Sequence, residues 1–144
     1  MNERNRTLAK RWFDEVWNRR RVETVDELMH PHAVGHLEGL ETRGPEGFKA
    51  ACKALLSAFP DLRIAVDDVI AESGHVVVRW TVSGTHAGDG LGMPGTGRPV
   101  RFRGMTWMRF SDDGAMVEGW DSWNQGALFQ ELRAALPVAR GEVF

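Results

Sequence analysis

The spacing of apolar residues changes once along the chain. Up to Pro60 they recur every three to four positions, and from Asp61 they recur every second position. Leu8, Ala9, Trp12, Phe13, Val16 and Trp17 make one broad apolar face, which predicts an N-terminal helix. Val22, Val25, Leu28 and Met29 predict a short second helix that Pro31 ends, and residues 33–38 read as a short extended piece. Gly44-Pro45-Glu46 opens a third helix. A proline suits the first turn, where no N–H partner is required, and an acidic side chain suits the positive end of the helix dipole. Phe48, Ala51, Cys52, Leu55, Leu56 and Phe59 form its stripe, and Pro60 stops it.

The second half predicts long strands. Leu62, Ile64 and Val66 alternate with polar or small residues, as do Val76, Val78, Trp80 and Val82. Val100, Phe102, Met108 and Phe110 share one parity, and Arg101, Arg103 and Arg109 take the other. A turn at Asp112-Asp113-Gly114 leads to a last strand over 117–124. Asn124 can cap a final helix bearing Leu128, Leu132, Ala135 and Leu136. Helices first and hairpin strands second give an α+β fold, a single domain over residues 1–144. A curved antiparallel sheet wrapped on the N-terminal helices would form a cone-shaped barrel with one pocket.

Parity then selects the side chains that face the pocket. The inward face of the first long hairpin carries Trp80 and continues through Gly84 to His86. The next strand presents Phe102, Gly104, Thr106 and Met108, where Gly104 and Thr106 are small enough to leave volume. On the last strand Val117, Gly119, Asp121 and Trp123 share a face. Asp121 is the least comfortable of these, because a desolvated carboxylate must find a partner or its pKa rises. It is either an acid/base group or a structural acid bonded to a backbone N–H or an arginine. Glu118, on the opposite face, reads as solvated or ion-paired. His36 and His86 read as pocket contacts or as structural residues. The ten residues 88–97 are rich in glycine and join two strands without leading into a helix, so they make no phosphate cradle. They read as a flap over the pocket mouth with Leu91 and Met93 as apolar tips, or as a plain hairpin loop. Alternation sends Val77, Met105, Trp107 and Trp120 outward, an apolar patch with an arginine rim that suits a homodimer.

Composition narrows the function classes. The 144 residues carry a net charge of −2, with 42% hydrophobic and 26% charged positions, which offers nothing to a nucleic-acid backbone. No apolar run approaches the ~20 residues that span a bilayer, and the N-terminus is amphipathic, so no membrane contact and a cytoplasmic location are expected. Cys52 alone cannot form an intramolecular disulfide and reads as a buried, inert thiol. The histidines lack metal-ligand spacing, so no metal is expected.

The succession Phe59-Pro60-Asp61-Leu62, Gly84-Thr85-His86-Ala87-Gly88, Met93-Pro94-Gly95-Thr96-Gly97-Arg98, Arg109-Phe110, Glu118-Gly119-Trp120-Asp121 and Leu128-Phe129-Gln130-Glu131-Leu132 resembles the SnoaL-like polyketide cyclases of the nuclear transport factor 2-like superfamily. The resemblance spans nearly the whole chain. It implies a deep pocket, frequent dimerisation, and an intramolecular aldol ring closure driven by an acidic pocket residue without cofactor or metal. Asp121 best matches that residue, while Asn124 stands where many relatives have an acidic one. The expected function is thus a cofactor-independent acid/base enzyme acting on a small hydrophobic carbonyl compound. Asp121 would move the proton, and His36, His86, Trp80, Phe102, Thr106, Met108 and Trp123 would hold the substrate. The alternatives are a non-catalytic binding module of the same fold and an epoxide-hydrolase-like enzyme, against which the outward arginines count.

Overall fold

A computed structural model describes residues 1–136. Helix α1 (Asn2–Trp12) runs on into a wider π-helical turn, Phe13–Asn18, and is followed by α2 (Glu23–Leu28). Strands β1 (Met29–Leu37) and β2 (Leu40–Arg43) form a hairpin ahead of α3 (Gly44–Ala58). Four long strands come next, β3 (Arg63–Glu72), β4 (His75–Thr85), β5 (Pro99–Phe110) and β6 (Met116–Trp123), and α4 (Gln125–Ala134) closes the order. One six-stranded sheet runs β2-β1-β6-β5-β4-β3.

The expected α+β architecture holds, with two differences in the sheet. It is curved but unclosed, and β2 and β3 remain its two edges. It is also mixed: β1 lies parallel to β6, while every other pair is antiparallel. The second predicted helix is shorter than its apolar pattern. Met29 already belongs to β1, and Pro31 lies within that strand where a bulge interrupts the pairing, a position that tolerates a missing N–H.

The helices cover one face of the sheet. Ala9, Trp12, Phe13 and Val16 are buried against Ile64, Val76, Val78, Trp80 and Val82 in one core that also takes Phe48, Cys52 and Phe59. Two bulges reset the alternation. One between Val66 and Asp68 turns Val69 inward and Ile70 outward. The other, where Arg109 faces Glu118 but Phe110 faces Met116, makes Met116 the buried residue at the start of β6. Val117, expected on the face of Asp121, is therefore only half-buried. Among the described residues no helix is long and apolar enough to cross a membrane.

Across the outer face, register aligns Ile70, Val77, Trp107, Trp120 and His36 in one row over five strands. Ile70 is 63% exposed, Trp107 49% and Trp120 37%, and Met105, at 52%, stands beside them. Val77, Trp107 and Trp120 face outward as alternation predicts, and the β3 bulge and the β1–β6 pairing add Ile70 and His36 to the row.

A carboxylic acid in an aromatic cavity

Between helices and sheet lies a cavity of about 630 Å³. Its walls are mostly apolar and include Trp12, Phe13 and Trp17 from the first helix, Phe48 from α3, and Trp80, Phe102 and Trp123 from the sheet. Phe102 and Trp123 stack at 4.6 Å between ring centroids, 20° from parallel, and Trp80 meets Phe102 edge-on at 6.2 Å. Such a wall offers flat apolar surfaces to a planar ligand.

Asp121 stands on this wall. Strands β5 and β6 place it directly opposite Thr106, whose hydroxyl donates to Asp121 Oδ1 at 2.6 Å. The direction of that bond follows from a third residue. Trp80 Nε1 lies 2.9 Å from Thr106 Oγ1, and an indole N–H can only donate. Thr106 therefore accepts from Trp80 and turns its own hydrogen to the carboxylate. Trp80 and Thr106 are both buried, so the relay is shielded from water. Oδ2 has no protein partner among the described residues and is the oxygen left to the cavity.

Burial pushes the Asp121 carboxyl up to about 6. The Thr106 hydrogen bond opposes the rise, and the negative charge of Glu38, another cavity residue, adds to it. An acid of this strength loads and unloads a proton near neutral pH.

The other expected site residues divide. Trp80, Phe102, Thr106, Met108 and Trp123 all line the cavity. Gly104 does not leave the expected volume: a Cβ there would meet the Trp80 ring at 2.6 Å and Trp123 Cβ at 2.7 Å, so the indole already fills that space. Gly119, beside Asp121, does line the cavity.

The structure places His36 elsewhere. Gly35 and Leu37 face the cavity, so His36 points to the outer face, where its Nε2 lies 2.7 Å from Glu118 Oε2 and its ring stacks on Trp120 at 5.4 Å. The His36 hydrogen bond, with help from Arg109 at 3.3 Å, holds Glu118 below the usual carboxylate range, the ion-paired role expected for it.

His86 does not line the cavity either, because β4 ends at Thr85 and the alternation stops there. The ring is fully buried, and its Nδ1 accepts the Thr96 N–H at 3.3 Å and lies 3.0 Å from the Thr96 hydroxyl. The remaining proton then sits on Nε2, which has no partner among the described residues. Burial lowers its pKa, so the ring is a neutral fastener. Backbone bonds from His86 N to Arg98 O (2.9 Å) and from Gly97 N to His86 O (2.7 Å) join the two ends of the glycine-rich loop around it. Leu91 of that loop reaches the cavity wall, so the segment lies beside the site.

Reading the strands alone does not reach Glu38, Gln125 or the helix aromatics. Glu38 occupies the two-residue turn between β1 and β2, a hairpin the chain's alternation does not announce. Gln125 opens α4 behind Asn124, whose side chain accepts from Ala127 N at 2.9 Å. Asn124 is thus the expected cap. Cys52 is buried, and burial pushes its thiol up to about 12, so it is chemically quiet.

Comparison with known proteins bears on the family and the fold. The model of the SnoaL-like polyketide cyclase family matches residues 7–132. The aklanonic acid methyl ester cyclase DnrD of Streptomyces peucetius is 35% identical over 96 residues, 62% of this chain and 63% of that enzyme's length. A candidate SnoaL-like polyketide cyclase from Jannaschia sp. CCS1 superposes with a TM-score of 0.86 at 26% identity, covering 92% of this chain and 94% of that one. AclR of Streptomyces galilaeus, a candidate hydroxylase, does so at 0.81 with 29% identity, covering 95% and 100%. The matched span takes in all six strands and Asp121, and the chain belongs to the SnoaL-like polyketide cyclase family.

Proposed function

We propose that this chain is a cofactor-independent acid/base enzyme that cyclises or isomerises a small hydrophobic carbonyl compound, with Asp121 as the proton-transfer group. The observation that carries this reading is the Asp121 carboxyl on the cavity wall, held through Oδ1 by Thr106 at 2.6 Å with Oδ2 unpartnered among the described residues, where burial pushes its pKa up to about 6. In an intramolecular aldol closure, Asp121 Oδ2 takes a proton from the carbon next to one carbonyl. The resulting enolate carbon bonds to a second carbonyl carbon, and the proton on Oδ2 passes to the new alkoxide oxygen. Product and substrate then have the same atoms, and Asp121 ends as it began. Thr106 keeps Oδ1 occupied so that Oδ2 does both transfers, and the Gln125 amide is available on the wall for a developing enolate oxygen. A pure binding module of this fold has no use for an acid so poised. The epoxide-hydrolase alternative would need an arginine at the acid, and Arg101, Arg103 and Arg109 are exposed on the outer face.

Aklanonic acid methyl ester, which the DnrD name specifies, is the first substrate to assay. The rate should rise with pH through about 6 as the base form of Asp121 appears. Asp121→Asn should lower turnover by about 10²–10⁴-fold, the range typical of a lost acid/base group, with the fold retained. A rate independent of pH between 5 and 7.5, or an Asp121→Asn variant of full activity, would refute the assignment.

A further inference from the structure

Among the described residues the cavity wall carries acids and no cationic side chain. Its ionisable residues among those described are Glu38, Cys52, Glu118 and Asp121, with no Lys, Arg or His beside them. Cys52 is a neutral thiol, and the Glu118 carboxylate is tied to His36 and Arg109. Glu38 is different. It sits at the tip of the β1–β2 hairpin, where Leu37 pairs with Leu40 and Gly39 takes φ +73°, and among the described residues no cationic side chain pairs with it. Its negative charge adds to the rise of the Asp121 pKa.

We infer that Glu38 is a specificity-determining residue: it makes this cavity select an uncharged ligand and reject the carboxylate, sulfonate or phosphate form of the same skeleton. The inference rests on the reading of the cavity as the substrate site. An anion entering this space exchanges water for apolar and aromatic walls and meets Glu38, and Asp121 when ionised, with no counter-cation among the described lining residues to compensate. A ketone or ester brings no net charge, so the same walls favour it. One unit charge acting over roughly 8 Å at an effective dielectric of about 30 changes binding about ten-fold.

Competition binding at pH 8 tests this directly. N-phenyl-1-naphthylamine, an uncharged fluorescent arene, reports cavity occupancy, and methyl 2-naphthoate and 2-naphthoate compete for it. In the wild type the ester should displace the probe at a far lower concentration than the carboxylate. Glu38→Gln should strengthen 2-naphthoate about ten-fold and leave the ester unchanged. Glu38→Ala should do the same, which guards against an effect of the introduced amide. Equal competition by ester and carboxylate in the wild type, or a ratio that neither variant changes, would overturn charge selection and leave the site reading standing. A Cβ added at Gly119, which lines the cavity, meets no clash, the nearest atom being Trp107 O at 3.7 Å. Gly119→Phe should therefore fill the cavity and abolish probe binding. If the probe still binds that variant, the cavity is not its site and both readings fall.

Discussion

Replacing Thr106 by valine keeps the shape of the side chain and removes one hydroxyl, which breaks the relay on both sides. Trp80 Nε1–H, buried and 2.9 Å from that oxygen, is left without an acceptor, and Asp121 Oδ1 loses a donor at 2.6 Å. An orphaned buried donor costs about 1–3 kcal/mol, so Thr106→Val should lower unfolding free energy by about 2 kcal/mol in urea titrations. The second effect is specific to the site. The hydrogen bond favours the ionised carboxyl and opposes the rise caused by burial. A bond to a charged group contributes about 1.5–3 kcal/mol, and each pKa unit corresponds to about 1.4 kcal/mol. Allowing for water that partly replaces the hydroxyl, the Asp121 pKa should rise by about one unit from about 6. The midpoint of the pH–rate profile, and of a carboxyl titration followed by NMR, should move upward by that amount. Thr106→Ser, which keeps the hydroxyl, should stay near the wild-type midpoint. A Thr106→Val enzyme that loses stability but titrates like the wild type would show that Thr106 only packs against Asp121 and does not set its proton affinity.

Asp121→Asn has a consequence for stability as well as for rate. The folded pKa of about 6 lies above the usual 3.8, so folding favours the protonated acid. That contribution is fully present below about 4 and is lost as pH rises through about 6, by at most on the order of 3 kcal/mol. The variant should accordingly match the wild type at pH 4 and exceed it at pH 8 in denaturant melts. A variant less stable than the wild type at pH 8 would contradict a strained, desolvated carboxylate. Gly90→Ala tests the loop that carries Leu91, since an added Cβ would lie 2.1 Å from Ala54 O of α3. It should lift the loop from the helix, raise proteolytic nicking within residues 88–97 and weaken ligand retention, and unchanged nicking would argue against the contact. The outer apolar belt is expected to pair two copies, so light scattering at micromolar concentration should give about twice the 16.1 kDa chain mass. Trp120→Glu should shift that mass to the monomer, and a monomeric wild type would refute the reading of the belt.

What the sequence discloses and what it withholds follow from how far each signal reaches along the chain. Alternation is a property of one strand, so the faces of β4 and β5 are legible: Trp80, Phe102, Thr106 and Met108 fall inside and Arg101, Arg103 and Arg109 outside. The same rule misleads where the strand stops or slips. It extends to His86 one residue past the end of β4, and it enlists Val117 across a bulge that no residue type marks. His36 is lost for a related reason. Its strand is set by a parallel pairing with β6, eighty-two residues away for the His36–Glu118 contact, and no local pattern encodes that distance. Gly104 shows the limit of reading small residues as empty volume, because the size of a neighbour on the adjacent strand decides whether the space is free. Asp121 was visible as an acid on an apolar face, yet its chemistry depends on register. The β5–β6 pairing sets Thr106 opposite it, and the β4–β5 pairing brings the Trp80 indole to that hydroxyl. An indole that can only donate, one strand beyond the threonine, thus determines which oxygen of the carboxyl is free to carry the proton.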